Sequence, residues 1–179
     1  MIKLSGFVAM YVLLAGAAVL FSPASAARAQ ANADKLIEEF YAWYPCCEPA
    51  NAYKMAQQNP WLPRAILASS RPERDRYAAY QLLVGARARG FKESIQLALM
   101  DRSDLIRSTA IHHLPLAFSD EDLVKQYVRL LEDPYSGVRY NCAEALARYP
   151  SQQAREPLLK LLDDKSIETR YCALGTLIS

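Results

Sequence analysis

The chain has 179 residues, 52% of them hydrophobic and 22% charged. That suits one ordinary domain or a short array of repeats and excludes a disordered polypeptide. Its 21 Lys and Arg stand against 19 Asp and Glu, a formal charge of +2 with no basic run. Nothing here supplies the phosphate neutralisation on which nucleic-acid binding depends, and nothing supports a polybasic membrane-surface role.

The N-terminus, "MIKLSGFVAMYVLLAGAAVLFSPASAARAQA", has one early lysine, an uncharged run from Leu4 to Phe21, then a proline and small residues. This is the layout of a secretory signal, expected over residues 1–26 with cleavage after Ala26 or Ala29. The alternative is an uncleaved membrane anchor, since the run is just long enough to span a bilayer. On either reading the remainder is exported, periplasmic or secreted, where disulfides are permitted. All four cysteines (Cys46, Cys47, Cys142 and Cys172) lie in that remainder. Three complete pairings are open to them, and a bridge between the adjacent Cys46 and Cys47 would be strained.

Residues 34–59 come next. "DKLIEEFYAWY" predicts a helix ended by Pro45, and "ANAYKMAQQN" a second before Pro60. Together they are expected to cap the first repeat, with Phe40, Tyr41, Trp43 and Tyr44 packing against it.

From residue 60 to 179 the chain repeats. Arg76, Arg107, Arg139 and Arg170 are 31, 32 and 31 residues apart. Three residues after each stands Ala79, Ala110, Cys142 or Ala173; four after, Tyr80, Ile111, Ala143 or Leu174; seven after, Leu83, Leu114, Leu146 or Leu177. Six before stand Ser70, Asp101, Asp133 and Asp164. Positions 0, +3, +4 and +7 share one stripe of an α-helix, so each arginine is expected on the buried face of the second helix of a helix-turn-helix unit. A buried guanidinium needs acceptors. The turn aspartates are expected to supply them as a ladder running through the stack, while also capping the second helices. Ser70 leaves the first rung without a carboxylate.

"DPYSGVRYNCAEALARYP" and "DDKSIETRYCALGTLIS" resemble HEAT repeats, especially the short HEAT-like kind named from phycobilisome bilin lyases. The resemblance is good from Phe91 to Ser179 and thinner from Pro60 to Gly90. It implies an all-α fold, an α-solenoid or α-α superhelix of about four stacked units. It also implies that the arginine and aspartate columns are structural and that the array holds partners. Bilin attachment does not carry over, because a repeat resemblance transfers architecture rather than chemistry.

A search of the residues for chemistry finds none. His112 and His113 are neighbours on one predicted helix, about 100° apart, and cannot share a metal ion in the i, i+4 manner. Cys142 falls in the small buried column, and the cysteine spacing does not suit zinc. The expectation is a non-catalytic binding or scaffold module without cofactor or metal. Its candidate contacts are one stripe over, at Tyr77, Tyr140 and Tyr171 (+1) and at Gln81, His112 and Glu144 (+5). They would meet a protein or peptide, tyrosine being favoured at binding hot spots. The alternative for the tyrosines is to lie over the neighbouring repeat and shield the ladder. Two further readings stay open: a thiol or redox role for Cys46 and Cys47, and a structural subunit that completes a larger array. For the latter, self-association through the C-terminal repeat is the expected route.

Overall fold

The computed structural model of the chain describes residues 23–43, 50–87 and 90–178. The expected signal segment lies outside them except for Pro23–Ala26, as do Tyr44, Cys46 and Cys47. All regular structure among the described residues is helical, and the chain divides into two units after Gly90.

The first unit holds α1 (Pro23–Trp43), α2 (Ala50–Gln58), α3 (Trp61–Leu67) and α4 (Glu73–Gly85). Helix α1 begins eleven residues before the predicted start at Asp34. The intervening "PASAARAQANA" is alanine-rich and opens on proline, which is well suited to a first helical turn. Ala33, Leu36, Ile37 and Phe40 form its buried stripe, and both α1 and α2 pack on α4. The Tyr41 hydroxyl donates to the Arg74 carbonyl at 2.6 Å, and the Arg74 guanidinium lies 3.9 Å from the Tyr41 ring centre. Helices α3 and α4 pack as a pair, and α4 buries Arg76, Ala78, Ala79, Tyr80, Leu82 and Leu83. Gly90, with φ of 74°, takes the left-handed turn that precedes the second unit.

The second unit is three helix pairs: α5 (Phe91–Ala98) with α6 (Asp104–His113), α7 (Asp120–Leu130) with α8 (Ser136–Leu146), and α9 (Gln152–Lys160) with α10 (Ile167–Ile178). The first helices are amphipathic; α7 buries Leu123, Val124, Tyr127 and Leu130, at i, i+1, i+4 and i+7. The second helices stack, α6 on α8 and α8 on α10, while α7 meets α9. Ile106, Ala110 and Ile111 on α6 and Val138, Cys142, Ala143 and Leu146 on α8 fill the space between. Each pair buries its faces against the next, as a repeat architecture requires.

Candidate functional site

The arginine column organises the second unit. Arg107 donates from Nε and Nη2 to the Asp133 carboxylate at 2.8 and 2.9 Å. Arg139 does the same to Asp164 at 2.6 and 2.7 Å. The remaining edge of each guanidinium turns back to its own repeat, with Nη1 of Arg107, Arg139 and Arg170 donating to the carbonyls of Asp101, Asp133 and Asp164 at 2.8, 2.7 and 2.7 Å. Each of Asp133 and Asp164 therefore joins two arginines, one through its carboxylate and one through its main chain. The four side chains of these two pairs keep only 6–13% of their surface exposed. In that setting two-pronged charged hydrogen bonds are strong. The Arg139 bond first, then the Ser166 amide and the nearby positive charges, hold the Asp164 carboxyl below its usual range. The carboxylates raise the pKa of Arg107 and Arg139 against the opposing effect of burial.

Two parts of the expected ladder differ. The aspartates do not cap the helices. They sit two positions before the cap residue, where Oδ1 accepts from the amide two residues on, at Ser103, Tyr135 and Ser166. The capping oxygens belong to Ser103, which accepts from the Ile106 amide, and Ser166, which accepts from the Thr169 amide. An aspartate so placed in a turn keeps lone pairs free for arginine. The second difference is Arg170. It finds main-chain acceptors at Asp164 and Lys165, and no carboxylate among the described residues pairs with it. In the first unit Arg76 is buried, and its Nη1 donates to the Arg71 carbonyl at 2.5 Å, one residue later than in the other repeats and next to Ser70.

Between stacked second helices, α10 approaches α8 through its own side chains. Thr169, Cys172 and Thr176 donate to the carbonyls of Ser136, Tyr140 and Ala143 at 3.4, 3.7 and 2.9 Å. The arginine alignment did not single out these residues, although their spacing of three and four marks one helix face. Cys142 and Cys172 are unbridged, and burial raises the pKa of both thiols.

The candidate contact residues are placed as follows. On α4, Tyr77 and Gln81 are half-buried, and Gln81 donates to the Tyr77 hydroxyl at 2.7 Å. In the second unit His112 and Glu144 are exposed on α6 and α8, Tyr140 is half-buried beside α10, and Tyr171 is exposed. His113 is half-buried, and its pKa is lowered by burial and then by His112. Among the described residues no group of three or more His, Cys, Asp or Glu side chains is arranged to hold a metal ion, and no helix is long and apolar enough to cross a membrane.

Residues 91–177 match the family model of HEAT repeats. The second unit is a HEAT-repeat array. The match coincides with the three helix pairs that carry the bidentate ladder, and its fold is accordingly an all-α solenoid. It is a match to HEAT repeats in general and does not extend to the narrower bilin-lyase kind. HEAT repeats generally mediate contacts between proteins and are typically non-catalytic. A search of the curated proteins finds no match to the chain.

Proposed function

We propose that this chain is an exported, non-catalytic scaffold that holds a protein or peptide along the surface of its second helices. The observation that carries the reading is the repeated register of α6 and α8. The ladder holds these helices at a regular offset, and each presents its +5 side chain, His112 or Glu144, to solvent, with Tyr140 alongside. Tyr77 and Gln81 occupy the same register on α4, and Tyr171 on α10. Within the second unit, His112, Tyr140 and Glu144 set aromatic and polar side chains on a fixed backbone, which suits an extended protein segment recognised by a few anchors spaced along its length. The near-neutral charge supports a protein rather than a nucleic acid. Export rests on the signal-like residues 1–26.

Affinity capture from the exported fraction tests the reading, using the full chain beside a variant with His112→Ala, Tyr140→Ala and Glu144→Ala. The expected result is loss of the captured protein at an unchanged melting temperature. Equal capture by both would reject the second-helix surface as the contact. Recovery of the whole chain from the cytoplasm with its N-terminus intact would reject export.

A further inference from the structure

In the second unit a turn aspartate joins two neighbours at once. Asp133 takes the Arg107 guanidinium through its carboxylate and the Arg139 guanidinium through its main-chain carbonyl. The first unit repeats this arrangement with the charges exchanged. Helix α1 packs on α4 as α6 packs on α8, so it occupies the place of a preceding second helix. It brings a carboxylate to the turn where α6 brings a guanidinium. Arg71, in the turn before α4, donates from Nη2 to Asp34 of α1 at 2.7 Å, and its own carbonyl accepts from Nη1 of Arg76. Arg71 thus joins its two neighbours as Asp133 does, one residue later in register and with the opposite sign. Both partners are held in place. Gln30 donates to the Asp34 carboxylate at 3.1 Å, and Arg71 donates from Nη1 to Asp75 at 3.3 Å.

We infer that this exchanged rung is a selection device, which reserves the face of α4 for the carboxylate-bearing α1 and excludes a helix that carries the array's own arginine. The apolar stripe of α1, with Ala33, Leu36, Ile37 and Phe40, supplies adhesion that any amphipathic helix could match. Charge supplies the choice. A second helix of the pattern seen in α6 or α8 would bring its guanidinium against Arg71, and like charges set together discriminate against the wrong neighbour. Asp34 in the same place attracts. The exposed side of α1 is polar, with Arg28, Asn32, Lys35 and Glu38, as the outer face of an end unit must be.

Amide hydrogen exchange along α1 in the full chain reads its docking. Asp34→Ala removes the attraction and should speed exchange of residues 33–40 about threefold, the scale of a part-exposed ion pair. Asp34→Arg adds repulsion and should speed it further. In an Arg71→Asp background the order should invert, with Asp34→Arg exchanging slowest and unsubstituted Asp34 fastest. Arg71→Gln, which removes the charge alone, should erase the difference between Asp34→Ala and Asp34→Arg. The Asp34 side chain is 48% exposed, so its replacement leaves the packing intact, and protection of α8 in the second unit should not change. Equal rates for Asp34→Ala and Asp34→Arg beside Arg71, the same order in both backgrounds, or a difference that persists in Arg71→Gln would overturn the inference.

Discussion

A guanidinium has two hydrogen-bonding edges, and Arg107 and Arg139 use them to tie three helix pairs together. Replacing Asp164 by asparagine removes the charge and one of two prongs. Its cost is expected at about 2 kcal/mol, between the values typical of exposed and of fully buried ion pairs. Arg170→Gln, which loses only main-chain bonds, should cost less than about 1 kcal/mol; urea denaturation of the two variants checks the ordering. Acid should act through two groups in sequence. The His113 pKa lies below its unfolded value, so the unfolded chain binds the extra proton first, and stability falls as pH drops below about 6.5 until the folded pKa is passed. The Asp164 pKa is also depressed. Its contribution is complete above about pH 4 and is lost as pH falls through the folded value. Denaturation midpoints measured from pH 8 to pH 3 should show both losses, with Asp164→Asn removing the lower one and His113→Gln the upper.

On helix α8 the small residues Cys142 and Ala143 lie where side chains of α10 reach its main chain. Ala143 is fully buried, and its carbonyl accepts from Thr176. Ala143→Leu would push the helices apart and should cost about 1–3 kcal/mol by overpacking. Thr176→Val keeps the volume and leaves that carbonyl one partner short, for about 1 kcal/mol. Thermal denaturation of the two variants compares volume with hydrogen bonding at the same contact. The same packing makes Cys142 inert. Its thiol is buried and its pKa is raised, so a thiol reagent at pH 8 should label it only at the unfolding rate. Cys172, half-buried, should react sooner.

In a stack of repeats each pair contacts only its neighbours, so stability depends on position. Within the second unit α8 is held from both sides, by α6 and α10, whereas among the described residues the second helix stacked on α10 is α8. Amide hydrogen exchange should therefore be slowest along α8 and fastest of the three second helices along α10. Uniform protection of α6, α8 and α10 would contradict this picture of the end face.

Much of this was legible in one sequence because repetition is a local property. Four arginines at near-equal spacing, with small and aliphatic residues at fixed offsets, determine helix phase, pair boundaries and the buried column without long-range information. The aspartate column likewise identified the acceptors. Only the tertiary structure decided which aspartate each arginine takes, since carboxylate and carbonyl come from different repeats and sequence offsets do not separate them. It also decided that Leu174, equivalent in sequence to Ala143, lies open while Ala143 is sealed. Burial depends on the neighbour stacked above, and a repeat's own residues do not record whether that neighbour is present.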